Sequence, residues 1–311
     1  MGDVIHAFPV VGELHAHVPG IEIDWVVEEA FAALPPLHPG VARVVPVAVR
    51  RWRRRPFARE VRAEIRALRE RLREARYERV IDLQGLVKSA WIARMAAAPV
   101  AGFDRASVRE PLATLAYAHR HRVDPKLHAI ERLRRLAGAE FGYEPRGLPE
   151  FGLRPVDAPM PDGAVPGDPY AVMLHATSRA EKRWPDDDWI ALAEALSARG
   201  LATVWPWGSP AEQRVAEALA GRARGRLAPR LDLAQCAVLL SRARLVVGVD
   251  TGLTHLSAAL ERPTIALFAA TPAWRFGPYW TPRAVSLGEA GRWPRPAEVV
   301  AAADSLLQAG A

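Results

Sequence analysis

Apolar residues in this chain fall in short runs between longer segments of helical period. In the second half the runs are uninterrupted: Tyr170-Ala-Val-Met-Leu174, Ala202-Thr-Val-Trp205, Leu245-Val-Val-Gly-Val249 and Thr264-Ile-Ala-Leu-Phe268. Unbroken apolar runs of this length predict strands covered on both faces, as in a parallel sheet. Between them the pattern predicts helices over Asp186 to Leu196, after Ser209, from Asp232 to Ser241, and from Thr251-Gly252 onward. A further helix is predicted over Pro296 to Gln308. In the first half, strands are predicted at Ile21 to Val27, at Val41 to Val49 with Pro46 inside it, and at Arg79 to Leu83. Val4 to Leu14 has a helical pattern. So does the segment after Pro56, where Val61, Ile65, Leu68 and Leu72 form one stripe opposite an Arg/Glu face. Helices are also predicted at Leu86 to Ala97 and Leu127 to Ala137. Gly102 to Arg109 reads as a loop before a helical stretch from Pro111, which His119-Arg-His-Arg122 ends.

Strands and helices thus alternate in each half, and a Pro-rich stretch from Gly138 to Asp168 separates the halves. The fold class expected is α/β, with two Rossmann-like domains built on mainly parallel sheets. A length of 311 residues fits two domains. No apolar run approaches the roughly 18 residues of a membrane span, and no segment has the pattern of a secretory signal. The single cysteine, Cys236, excludes a disulfide framework and fits a reducing compartment, where it fills a helix face.

Charge changes the picture more. The formal net charge is +7, carried by 39 arginines and only three lysines. Such a balance favours an anionic partner: nucleic acid, a phosphorylated sugar or an acidic membrane surface. Five arginines surround Trp52 in Arg50-Arg-Trp-Arg-Arg-Arg55, at the end of a predicted strand. The histidines His119, His121 and His128 have no companion carboxylate at ligand spacing in the sequence.

In open α/β sheets, ligands bind beyond the carboxyl ends of the strands. Those ends in the second half carry Thr177, Ser178, Lys182, Glu212 and Asp250-Thr251-Gly252. Hydroxyls, an ammonium and a glycine at a helix start suit a diphosphate, and a carboxylate such as Glu212 can take a sugar hydroxyl pair. His255 falls in the first turn of that helix. Neither GxGxxG after an N-terminal strand nor GxxxxGK[ST] occurs. Asp186-Asp-Asp188 reads as helix capping.

Several of these pieces carry a resemblance. Gly2-Asp3-Val-Ile-His6, Asp24-Trp-Val-Val-Glu-Glu29, Arg50-Arg-Trp-Arg53, Asp82-Leu-Gln-Gly-Leu-Val-Lys-Ser89, Leu174-His-Ala-Thr-Ser-Arg179 and Asp250-Thr-Gly-Leu-Thr-His255 follow one another in order. With Arg109-Glu-Pro-Leu-Ala113, Trp184-Pro185 and Pro206-Trp-Gly208 they cover nearly the whole chain. The sequence resembles the bacterial lipopolysaccharide heptosyltransferases of glycosyltransferase family 9, and its Arg-Arg-Trp-Arg and Asp-Leu-Gln-Gly-Leu-Val-Lys-Ser pieces resemble the type I branch.

The resemblance implies a GT-B fold and an inverting transfer of L-glycero-D-manno-heptose from ADP-heptose to the Kdo of Kdo-lipid A. It implies an acceptor domain over residues 1–155, a donor domain over 165–290, and a C-terminal helix over 291–311 that packs back on the first domain. Thr177, Ser178, Lys182, Glu212, Leu231, Asp250, Thr251, Gly252 and His255 take donor positions, with Leu231 against the adenine. Asp3 takes the catalytic base position in a loop at the cleft, and Lys182 supports the leaving diphosphate. Arg50, Arg53, Arg54 and Arg109 meet the acidic acceptor. No metal is required, a divalent cation being at most a stimulant. The expected setting is a cytoplasmic monomer, peripheral on the inner membrane, with no nucleic-acid partner. Other readings are a type II or III acceptor, or an Arg-rich nucleic-acid binder. Family members open with a strand and a Ser-rich turn before the Gly-Asp pair. This sequence opens past them, by roughly ten residues, the length of a strand and a turn, so the first sheet is expected to lack a central strand.

Overall fold

The computed structural model describes residues 1–154, 157–177 and 179–309. They form two compact units: residues 6–152, and residues 1–5 together with the chain from Leu153 onward. The helical pattern at the amino end is broken. Helix α1 (Gly2–His6) stops before Ala7, and α2 (Phe8–His17) starts again with Pro9 in its first turn. Proline is tolerated there because the missing N–H has no partner within the helix. Asp3 accordingly lies in the first turn of a helix, not in a loop.

The first unit contains α2, β1 (Ile23–Glu28), β2 (Val41–Val47), α3 (Val49–Trp52), α4 (Arg59–Glu74), β3 (Val80–Ile81), α5 (Val87–Ala93), β4 (Val100–Phe103), β5 (His119–His121) and α6 (Ala129–Phe141). All its strand pairs are parallel, in two separate sheets ordered β1-β2 and β3-β4-β5. β2 pairs only with β1 among the described residues, and an edge strand accommodates the missing donor of Pro46. The stripe read from sequence holds: Val61, Leu68 and Leu72 of α4 are buried with Val45, Val47 and Trp52.

Three expectations here were wrong. His119–His121 is a strand paired with β4, not the end of a helix. The segment 102–109 is not all loop, since β4 runs through Phe103. The turn at Pro111–Ala116 is 3-10 rather than α-helical. His119 and His121 also gain a carboxylate from α6. The Glu140 oxygens lie 2.9 Å from His119 Nδ1 and 2.6 Å from His121 Nε2, and Arg79 Nη1 lies 2.8 Å from the same carboxylate. The two ring contacts and the arginine outweigh burial and hold Glu140 below the usual carboxylate range.

The second unit has one six-stranded parallel sheet. Its elements are β6 (Tyr170–Leu174), α7 (Asp186–Ser197), β7 (Ala202–Trp205), α8 (Pro210–Arg222), β8 (Arg226–Leu227), α9 (Leu233–Ser241), β9 (Leu245–Val249), α10 (Gly252–Ala259), β10 (Thr264–Leu267), α11 (Ala273–Phe276), β11 (Ala284–Leu287) and α12 (Pro296–Ala309). The strand order is β11-β10-β9-β6-β7-β8. Every residue of β6, β9 and β10 is buried, as their unbroken apolar runs require. Trp184, Trp189 and Trp205 meet edge to face at 4.9 and 5.9 Å within this core. Helix α12 belongs to the second unit. Its Val299 and Ala303 enter the core of the second unit beside Trp189 and Leu192.

Candidate functional site

From β6 the chain of the second unit winds outward one way through β7 and β8, and from β9 the other way through β10 and β11. β6 and β9 are neighbours, with Leu174 opposite Gly248. A switch of this kind opens a crevice at the carboxyl ends of the two strands, where open α/β sheets take their ligands.

The loops beyond those two ends meet through side chains. After β9, Asp250 is largely buried, and three groups reach its carboxylate. Lys182 Nζ donates to Oδ2 at 2.5 Å, Thr271 Oγ1 donates to the same oxygen at 2.5 Å, and His255 Nε2 lies 3.1 Å from Oδ1. Burial alone would raise the acid, but the contacts from His255, Lys182 and Thr271 outweigh it. They hold the carboxyl well below the usual carboxylate range, so Asp250 is ionised and anchors the ammonium. Lys182 closes the 3-10 turn Ala180–Lys182. Two residues on, Trp184 is fully buried and donates from Nε1 to Pro294 O at 3.0 Å. That anchor fixes the loop carrying Lys182.

Asp250 is followed at once by α10. Its N-cap, Thr251, makes no side-chain capping bond and sits 3.3 Å from Thr254 Oγ1. The first N–H groups of α10 therefore have no capping acceptor from Thr251, and the helix end carries a partial positive charge. Gly252 is the first helical residue, and a Cβ there would lie 2.5 Å from Met1 Sδ. α10 also lies close on β9. A Cβ at Gly248 would run into Thr254 Oγ1, which donates to Val249 O at 2.7 Å. Residues 1–5 belong to the same unit, and a Cβ at Gly2 would be 3.7 Å from His255 Cδ2. Asp3, exposed, is the next residue.

The other residues expected at the donor follow neighbouring strands in the chain. Thr177 follows β6, half-buried, and Ser178 lies outside the described residues. Glu212, third residue of α8, closes a capping box: its Oε2 accepts from Gly208 N at 2.8 Å and Ser209 N at 3.1 Å. Leu231 is buried just before the N-cap of α9. His175, just after β6, is buried, and burial lowers its pKa. Cys236 is buried and free, its thiol pushed up to about 12, which makes it unreactive.

In the first unit the arginine cluster divides by role. Arg51 pairs with Glu64 at 2.8 Å and Glu29 at 3.3 Å, and Trp52 Nε1 donates to the same Glu64 at 2.7 Å. These contacts make Arg51 structural. The Arg50 guanidinium sits over the Phe31 ring at 5.4 Å. Arg53 and Arg54 are exposed. Arg109 is exposed in the loop after β4. Near it, the buried Asp82 carboxylate accepts from Gln84 N, Gly85 N, Ser89 Oγ and Tyr117 OH at 2.9, 3.2, 2.8 and 2.7 Å. Burial raises Asp82 despite these donors. The network holds the loop between β3 and α5. Sequence reading placed Asp82 only in a motif, and it missed Thr271 altogether.

Residues 65–300 match the family described as glycosyltransferase family 9 (heptosyltransferase). Lipopolysaccharide heptosyltransferase 1 of Pseudomonas aeruginosa is 45% identical over 282 residues, covering 90% of this chain and 79% of that protein. This chain belongs to glycosyltransferase family 9. Among solved structures, E. coli heptosyltransferase WaaC with ADP superposes with a TM-score of 0.86 at 38% identity, covering all of this chain and 97% of that one. The same protein with ADP-2-deoxy-2-fluoro heptose gives 0.82 at 37% identity. The fold is GT-B and the chain is a glycosyltransferase of the heptosyltransferase family. The nucleic-acid reading is set aside. No described helix is long and apolar enough to cross a membrane.

Proposed function

We propose that this chain moves L-glycero-D-manno-heptose from ADP-heptose to the Kdo of Kdo-lipid A, with inversion, at the cytoplasmic face of the inner membrane. The observation that carries the reading is the Lys182–Asp250–His255 constellation against the start of α10, at the switch point of the donor-side sheet. The ADP diphosphate sits at the N–H groups of Thr251 and Gly252, with Lys182 presenting the donors that Asp250 does not use. Thr177 and Ser178 add hydroxyls, Glu212 takes a hydroxyl pair through Oε1, and Leu231 lies against the adenine. Arg50, Arg53, Arg54 and Arg109 hold the acidic acceptor.

An acceptor hydroxyl is a weak nucleophile at neutral pH, so a carboxylate must take its proton as it attacks. Such a step is worth roughly 10²–10⁴-fold. Asp3 fills that role, one residue from the Gly2 contact with His255. Attack on the anomeric carbon breaks its bond to the diphosphate oxygen in one displacement. Lys182 and the helix N–H groups stabilise the charge that develops on ADP, so no step needs a metal.

The test is product mass after incubation with ADP-heptose and Kdo-lipid A. A gain of one heptose is expected; no product, or product only with a heptosylated core acceptor, overturns the assignment. Asp3→Ala should abolish transfer and leave ADP-heptose binding intact. Near-normal turnover in that variant would remove Asp3 from the base role.

A further inference from the structure

α5 and the 3-10 turn Pro111–Ala116 lie side by side and enclose a groove. Its underside is sealed by Ala90, Ala113 and Tyr117, all buried. Its rim is apolar yet open: Val87 and Trp91 are each 44% exposed, Leu112 70% and Leu115 72%. Large aliphatic side chains this exposed, in one contiguous patch, mark an interaction surface. The patch is also held in place. Glu110 Oε2 accepts from Val87 N at 2.7 Å, and the Asp82 carboxylate fixes the turn that opens α5.

Cations surround it. Arg94 lines the groove, and Arg120 Nε donates to Thr114 O at 3.1 Å, at the turn itself. Lys88 follows Val87, and Arg105 and Arg109 lie in the loop leading to the turn. The acids of the same stretch are used internally: Glu110 on Val87 N, and Asp104 on Ala106 N and Ser107 N. An apolar strip bearing Trp and Leu, flanked by Lys and Arg, is complementary to the headgroup region of an anionic bilayer.

We propose that this groove, with Trp91, Leu112 and Leu115 at its rim and Arg94 and Arg120 beside it, is the face by which the enzyme rests on an anionic lipid bilayer. The inference rests on the reading of the acceptor as a membrane-anchored lipid. α5 begins at the carboxyl end of β3, the side on which such sheets bind substrate, so lipid docked on α5 would deliver the acceptor sugar beside the first unit's strand ends.

The test is flotation of the whole enzyme with vesicles of phosphatidylethanolamine and phosphatidylglycerol, against vesicles of phosphatidylcholine alone. The enzyme should float with the anionic vesicles, less so at high salt. The Trp91→Ser/Leu112→Ser/Leu115→Ser variant should lose at least about tenfold in partitioning, three apolar side chains being removed. Leu112→Ser alone should lose less. Melting temperature, ADP-heptose affinity and turnover on a deacylated, water-soluble acceptor should not change, while turnover on acceptor embedded in vesicles should fall. A triple variant that floats like its parent overturns the proposal. So does a parent that ignores anionic vesicles, or one that is a dimer by light scattering and becomes monomeric on substitution. Transfer to the soluble acceptor separates the two readings: its absence in the parent sinks the proposed function and leaves the flotation result standing.

Discussion

Lys182 Nζ lies 2.5 Å from Asp250 Oδ2, and both side chains are largely shielded from water, at 16% and 10% exposure. They lie 68 residues apart in sequence, on loops from two adjacent strands. Removing one partner of a shielded pair leaves the other without its counter-charge, which costs about 3–5 kcal/mol when burial is complete. Asp250→Ala should therefore destabilise the protein by about 2–4 kcal/mol, because Lys182, His255 and Thr271 all lose their acceptor. Lys182→Ala should cost less, since His255 and Thr271 remain on the carboxylate. Its larger effect should be on ADP affinity by calorimetry; unchanged affinity would contradict the phosphate assignment. A double-mutant cycle by urea denaturation measures the coupling.

Thr271 should matter although it lies far from any motif. Its hydroxyl donates to the ionised Asp250, and hydrogen bonds to charged groups are worth about 1.5–3 kcal/mol. Thr271→Val is expected to lower stability within that range and to weaken ADP binding by loosening the anchor of Lys182. Thr271→Ser should restore both. If Val and Ser behave alike, the hydroxyl is not what counts.

His175 sets a pH dependence with a definite sign. Burial holds the imidazole below its ordinary value. The unfolded chain then binds more protons than the folded one in the interval just below about 6.5, so folded stability falls as pH drops through that interval. In His175→Leu this loss disappears. The stability of the parent minus that of the variant, from urea melts at pH 8 and pH 5, should shrink on acidification. A constant difference would show that the ring is not held neutral.

The arginine cluster predicts a separation of effects. Arg51 is tied to Glu64 and Glu29, whereas Arg53 and Arg54 are exposed on the same short segment. Arg53→Glu with Arg54→Glu should raise the acceptor KM and leave both melting temperature and donor KM unchanged. Arg51→Ala should lower the melting temperature. Equal damage to donor and acceptor KM in the charge-reversed protein would point to misfolding instead.

What the chain reveals before folding depends on how its elements are buried. β6, β9 and β10 are covered on both faces, so their unbroken apolar runs were readable. β5 was not, since His119-Arg-His121 contains no apolar residue and is a strand only because β4 supplies its partner. β11 lies at a sheet edge with half-buried residues and was missed as well. The constellation around Asp250 was legible where its residues cluster locally, from Asp250 to His255. Thr271 reaches Asp250 from 21 residues away and Tyr117 reaches Asp82 from 35. No periodicity encodes such meetings. The division of labour among Arg50 to Arg55 was hidden for the same reason, because it is set by Glu29 and Glu64 from other elements.

The fit of α10 onto β9 has a consequence for how this sequence can drift. Any side chain at position 248 would need the space that Thr254 Oγ1 occupies, and a larger group at 254 would press on the strand at Gly248. In other lineages these two sites should change together or not at all, and a lone exchange at either would shift the helix that opens beside Asp250.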